Sequence, residues 1–125
     1  MINSNFPHWF CDQFVEYNDR ENEIPVDQHM LISLIAPRPV YVASASQDLW
    51  ADPKGEYLSL LNSGEVFALY RDSTLPSVMP PPNTPVASQL RGYHVRDGKH
   101  DITVYDWMQY IQFAERHRTA NQQEP

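Results

Sequence analysis

The sequence is short of the residues that would staple it, span a membrane or bind nucleic acid. It holds one cysteine, Cys11, so no disulfide can close within the chain. Flanked by Phe10 and Asp12, that thiol is expected to be a small buried hydrophobe, with a reactive thiol as the alternative. No apolar run approaches the roughly 18 residues of a membrane span. Basic residues are outnumbered, 9 Lys and Arg against 16 Asp and Glu, for a net charge of −7. A nucleic-acid binder needs a basic stripe to neutralise phosphates, so that class is set aside. His8, His29, His94 and His117 show no His-x-x-x-His spacing and no Cys-x-x-Cys exists, so no metal site and no cofactor are expected. His29 is expected to be solvated. There are 4 glycines, and none has a serine two residues after it, so the Gly-x-Ser-x-Gly elbow of a serine hydrolase is absent. The opening MINSNFPHWF has neither the basic segment nor the apolar core of a signal peptide.

What is present is enough for one domain. The chain has 125 residues, 42% of them hydrophobic and 12% aromatic, which is a core-forming composition. Residues 1–24 read as an irregular aromatic segment with a short helix near residues 12–17. Phe6, Trp9 and Phe10 are large apolar groups with no preceding element to pack on. The run Asn18-Asp19-Arg20-Glu21-Asn22-Glu23 lacks the central glycine and ligand spacing of a calcium loop and reads as a solvated turn.

A helix is expected over residues 27–35, N-capped by Asp27, with Met30, Leu31, Leu34 and Ile35 on one face, and Pro37 and Pro39 to stop it. Residues 40–46 form a nearly unbroken apolar run, as a central parallel strand does when both its faces are covered. Asp52-Pro53 then reads as an N-cap and first helical position. Tyr57, Leu58, Leu60 and Leu61 supply that helix's apolar face and Gly64 its end. A second strand falls either at residues 66–70 or near residues 93–96. Residues 72–88 hold Pro76, Pro80, Pro81, Pro82 and Pro85 and read as a long loop, functional or disordered. Asp97-Gly98 is a turn. The last helix is expected over residues 102–118, N-capped by Asp101, with Val104, Trp107, Met108, Ile111 and Glu115 on its inner face. Residues 119–125 should fray. This is α/β patterning, with too few strands for a doubly wound sheet. It is expected to be the C-terminal portion of a larger α/β domain.

In open α/β sheets, ligands bind beyond the carboxyl ends of the strands. Asp48 lies just past one such end, and His100, in Gly98-Lys99-His100-Asp101, lies past another. An acid followed by a histidine on successive strand-end loops is the order of the second and third members of an α/β-hydrolase triad. The histidine would take a serine's proton and the carboxylate would hold the ring's tautomer. A helix cap and a surface histidine are the plainer alternatives, although Asp52 already occupies the cap position. Trp50 is open between a core residue and a platform for a sugar ring. Trp9 and Trp107 are expected in the core.

Longer runs carry more information. Asn5-Phe6-Pro7-His8-Trp9-Phe10, Tyr17-Asn18-Asp19-Arg20, Pro25-Val26-Asp27-Gln28-His29-Met30-Leu31 and Ala36-Pro37-Arg38-Pro39-Val40-Tyr41-Val42 are four of them. Ala45-Ser46-Gln47-Asp48-Leu49-Trp50-Ala51-Asp52-Pro53-Lys54-Gly55-Glu56 and the stretch from Gly92-Tyr93-His94 to Gly98-Lys99-His100-Asp101 complete the set. Together they resemble the C-terminal part of bacterial glucuronoyl esterases, carbohydrate esterase family 15. The resemblance is weakest in the proline-rich loop and the tail. It implies an α/β-hydrolase fold, no metal, and hydrolysis of esters joining 4-O-methyl-glucuronic acid on xylan to lignin alcohols, with acetylated xylan as the alternative substrate. It makes His100 the general base, Asp48 the acid after the seventh strand, Trp50 a contact to the uronic acid, and Asp52 the cap of the next helix. Such enzymes are secreted or periplasmic.

The family's Gly-Cys-Ser-Arg motif and its oxyanion-holding arginine have no counterpart here, and fungal members take their acid from a position soon after that serine. The expectation is therefore a fragment with acid and base but no nucleophile, inactive and aggregation-prone alone. Its alternatives are a non-catalytic carbohydrate-binding remnant, or one half of a split esterase whose N-terminal half is separately encoded.

Overall fold

In the computed structural model, which describes residues 2–120, the fold is organised around one short strand whose sequence looks wrong for an interior. Arg91–Arg96 (β3) reads Arg-Gly-Tyr-His-Val-Arg, yet all six residues are buried. It sits in the middle of a three-stranded sheet of order β1-β3-β2. Val40–Ala45 (β1) runs parallel to it, with Val40 opposite Arg91 and Ala45 opposite Arg96. Val86–Ala87 (β2) is antiparallel on the other side. The apolar run 40–45 is therefore a strand as expected, but among the described residues it is an edge strand and only half-buried over most of its length. β3 is the central one, and the alternative strand at residues 66–70 does not exist: Gly64–Ala68 is a helix (α4).

Side chains alternate across a strand, so β3 sends Arg91, Tyr93 and Val95 to one face and Gly92, His94 and Arg96 to the other. On the first face lie Gln28–Ser33 (α2), Pro53–Asn62 (α3) and the proline-rich loop, and Tyr57, Leu60, Leu75, Tyr93 and Val95 form the apolar core. Arg91 is accommodated there by full pairing. Its Nε donates to Asp72 at 2.7 Å, and its Nη1 and Nη2 donate to the carbonyls of Leu60 and Ser73, each at 3.0 Å. Asp72 also accepts from the Leu90 N–H and the Ser88 hydroxyl, each at 2.8 Å. Arg91 thus supplies the last carbonyls of α3 with a donor, work that a C-terminal glycine motif otherwise does. Gly64 does not end the helix by a left-handed turn. A Cβ there would lie 2.7 Å from Arg91 Nη1, so the glycine makes room for the guanidinium.

On the second face lies Val104–Ala120 (α5), after an initial short helix Ile2–Asn5 (α1) and the 3-10 helices Pro7–Trp9, Asp12–Tyr17 and Glu21–Glu23 have wrapped the outside. α5 begins at Val104 rather than residue 102, and Thr103 and Ala120 bound it, so residues 119 and 120 are helical; residues 121–125 of the expected frayed tail lie outside the described residues. The inner face of α5 is not the expected one. Val104, Trp107, Met108 and Ile111 are exposed, whereas Asp106 and Phe113 are buried. Charge decides the rotation. Asp106 accepts from His94 Nε2 at 2.8 Å and Arg96 Nε at 3.0 Å, and also from the N–H and hydroxyl of Thr103 at 2.6 and 2.8 Å. Removing one partner of a buried charge pair costs about 3–5 kcal/mol, so turning Asp106 outward would leave Arg96 buried and unopposed. Tyr41 packs on this face too, donating its hydroxyl to His94 Nδ1 at 3.0 Å, and Gly92 leaves the space its ring fills.

Other expectations yield to the same geometry. Asp27 caps α2 through the Gln28 N–H at 2.6 Å, but Met30, Leu31 and Leu34 face outward while Ile32 meets the core. His29 is half-buried beside Asp27, 3.3 Å away. Cys11 is exposed, between two 3-10 helices that hold no buried residue among those described. Trp9 and Trp107 are exposed as well; Trp9 stacks on Phe6 at 4.3 Å instead of entering the core. Among the described residues no helix is long and apolar enough to cross a membrane.

Burial alone would raise the Asp106 pKa. The hydrogen bonds from His94 and Thr103 and the charge of Arg96 outweigh it and lower the value from 3.8 to about 2. A carboxylate depressed in the folded state stabilises fully above its ordinary pKa and loses that contribution as the pH falls through the folded value. Urea unfolding at pH 4 and pH 2 should therefore show a loss of about 2 kcal/mol that Asp106→Asn lacks. Equal pH sensitivity in the two proteins would show that the charge of Asp106 is not part of the fold's support.

Candidate active site

The ends of β1 and β3 lie side by side, and the loops beyond them are tied by backbone. Ser46 N–H donates to the Arg96 carbonyl at 2.9 Å and Gln47 N–H to the Gly98 carbonyl at 2.8 Å. The Ser46 hydroxyl donates to Asp97 at 2.8 Å and accepts from the Gly98 N–H at 3.2 Å. Gly98 has φ +128°, a conformation that side chains resist, so the turn at 97–98 depends on glycine.

This pairing of loops brings Asp48 and His100 together. Asp48 follows a turn closed by its own N–H to the Ala45 carbonyl at 3.1 Å. Its Oδ2 lies 2.6 Å from His100 Nδ1. A carboxylate only accepts, so the ring carries its proton on Nδ1 and leaves the Nε2 lone pair free. The Asp48 side chain is 17% exposed and that of His100 is 90% exposed: the acid is walled in while the base stands in the open. Beside the pair is a cavity of about 210 Å³, bordered also by Ala43, Ser44, Ala51, Glu56, Ile102 and Tyr110. Chemically, the arrangement is an oriented imidazole able to accept a proton at Nε2, with a carboxylate behind it to balance the charge that forms.

Trp50 is on the same loop, two residues after Asp48. It is 65% exposed, so among the described residues it is not part of the core. Its indole meets the edge of Phe6 at 5.5 Å, so the N-terminal aromatic segment braces the loop. Asp52 stands at the N-cap position of α3 but does not cap with its side chain: it is left-handed, φ 54°, and its carboxylate lies over Gly55. Its carbonyl still accepts the first helical bond, from Glu56 N–H at 3.0 Å.

Two groups escaped the sequence reading. Glu56 reaches back from the first turn of α3 and accepts from the Ser44 hydroxyl at 2.6 Å, on the cavity wall. Burial raises its pKa and the charges of Asp48 and Asp52 add to the rise, partly opposed by Ser44 and His100. Ser44 in turn contacts the Tyr93 hydroxyl at 2.9 Å. The second group is Arg96, whose burial beneath the His100 loop no periodicity could show. A charged residue inside an expected strand, with Asp106 in the first turn of the next helix, was the available signal. Among the described residues no group of three or more His, Cys, Asp or Glu side chains is arranged to hold a metal ion.

Comparison with known proteins identifies the family. Over 120 residues, 95% of the chain, the sequence is 50% identical to a carbohydrate esterase from an unknown prokaryotic organism, of which it spans 28%. A solved structure described as a promiscuous CE15 esterase from a marine bacterial metagenome is similar with a TM-score of 0.87 at 50% identity, over 93% of this chain and 29% of that one. A glucuronoyl esterase from Solibacter usitatus gives a TM-score of 0.84 at 49% identity, over 91% and 29%. One from Teredinibacter turnerae gives 0.78 at 34%, over 88% and 27%. The chain thus spans less than a third of the length of these relatives, which are α/β hydrolases. The sequence model of a family described as glucuronyl esterase, fungi, matches residues 2–70, a span that takes in Asp48 and Trp50. With more than half its length matched and half its residues identical to such an esterase, the chain belongs to the glucuronoyl esterases of carbohydrate esterase family 15.

Proposed function

We propose that this chain supplies the acid and base of a serine carboxylic-ester hydrolase that cleaves 4-O-methyl-glucuronoyl esters linking xylan to lignin alcohols. The observation that carries the reading is the 2.6 Å Asp48–His100 hydrogen bond, with Nε2 left free beside a cavity. In this mechanism His100 Nε2 takes the proton of a serine hydroxyl as its oxygen attacks the ester carbonyl, and returns it to the departing alcohol. Water then repeats the sequence on the acyl-enzyme. Asp48 holds the ring's tautomer and stabilises the imidazolium. Trp50, exposed and braced by Phe6, offers an apolar face to the uronic acid ring.

The serine belongs to the part of the relatives' length that this chain does not span. The exposed stripe of Val104, Trp107, Met108 and Ile111 on α5 favours a partner segment that covers it, whether fused or separately encoded.

A chimera tests the reading: this chain replaces the matching segment of the Solibacter usitatus esterase, to which it is 49% identical. The chimera should hydrolyse an alkyl ester of glucuronic acid in preference to acetylated xylan. His100→Ala should lower kcat by about 10⁶-fold, and Asp48→Asn by roughly 10⁴-fold. An Asp48→Asn loss under about tenfold would move the acid role to the position after the serine. Trp50→Ala should raise KM roughly tenfold with kcat kept, because a sugar platform holds substrate and transition state alike. A fall in kcat at constant KM would refute the platform role.

A further inference from the structure

Among the described residues, Asp48 is the only hydrogen-bond partner of the His100 ring, and the side chain is 90% exposed. A side chain so exposed keeps its direction only if its backbone is fixed. The staple between Ser46, Asp97 and Gly98 fixes the start of the loop, before His100 is reached. The residues on either side of His100 are held from beneath, by one guanidinium. Arg96 Nη2 donates to the Lys99 carbonyl and to the Asp101 carbonyl, each at 2.6 Å, and Nη1 reaches the Asp97 carbonyl at 3.4 Å. Its Nε is anchored on Asp106 at 3.0 Å, and Asp106 is anchored by His94 and Thr103. The side chains of Arg96 and Asp106 are 6% and 4% exposed, so the clamp is buried and charge-assisted. Gly98 belongs to it as well: a Cβ there would lie 2.7 Å from Arg96 Nη1.

We propose that Arg96 is a positioning residue for His100: anchored on Asp106, it grips the carbonyls on both sides of His100 and so fixes the backbone from which the imidazole reaches Asp48. Its catalytic meaning rests on the reading of His100 as general base, whereas the geometry it describes does not. A lysine in its place keeps a charge beside Asp106 but has no planar fork to span two carbonyls.

The test is ¹⁵N NMR of the full chain labelled at histidine, at alkaline pH, where ring nitrogen shifts report the tautomer. His100 is assigned through His100→Gln, and Asp48→Asn gives the unheld ring. In the wild type the Nδ1–H form of His100 should predominate. In Arg96→Gln the tautomer ratio should shift at least about tenfold toward the Asp48→Asn value, the size expected for losing a hydrogen bond to a charged group. Arg96→Lys should fall between the two, with the His94 signals and the unfolding midpoint near wild type; it decides the matter if Arg96→Gln does not fold. A His100 ratio unchanged in the folded variants would overturn the proposal, as would a wild-type ring already mixed. An inactive chimera would count against the esterase reading and leave this result standing, so the two failures are separable.

Discussion

Two arginines on one buried strand set the terms for the rest of the molecule. β3 points Arg91 to one face of the sheet and Arg96 to the other, and neither reaches water. A buried guanidinium is tolerated only when its donors are met and its charge is opposed. Asp72 does this for Arg91, fastening the end of α3 and the start of the proline-rich loop to the sheet. Asp106 does it for Arg96, fastening α5 and the His100 loop. Each arginine therefore connects three pieces of chain that apolar contact alone would leave free to slide. The candidate site lies at the carboxyl end of this strand, where the second of these connections emerges.

That constraint also explains what could be read in the sequence. β1 was legible because Val40, Tyr41 and Val42 are β-formers in an apolar run. α3 was legible from Asp52-Pro53 and the Tyr57–Leu60 spacing. Asp48 and His100 were legible because both follow strand ends, and the long matching runs around them pointed to the family that the comparisons show. β3 was half-hidden, since hydropathy reads Arg91, His94 and Arg96 as surface. The face of α5 was misread for the same reason: hydropathy chose Trp107 and Met108, whereas pairing with Arg96 and His94 required Asp106 inside. Gly64 looked like a helix stop when its function is to admit Arg91. The errors share one cause, that a pattern of apolar residues cannot see a charge with its partner on another element.

The stripe left outside on α5 follows from that choice, and so does the division of the site. Within the described residues Asp48 and His100 are hydrogen-bonded, a cavity adjoins them, and Trp50, on the Asp48 loop, meets Phe6. The chain spans less than a third of its relatives. The loops after β1 and β3 are tied to each other by backbone hydrogen bonds and to the interior through Arg96.

Buried charge pairs should make β3 and the loops after β1 and β3 open as one unit, which native-state hydrogen exchange reads residue by residue. The amides of Tyr93–Val95 should be the best protected among the described residues, and Gln47 N–H, bonded to the Gly98 carbonyl, should open with them near the global unfolding free energy. Fast, independent exchange of Gln47, or better protection in α5 than in β3, would contradict that role of the charge pairs.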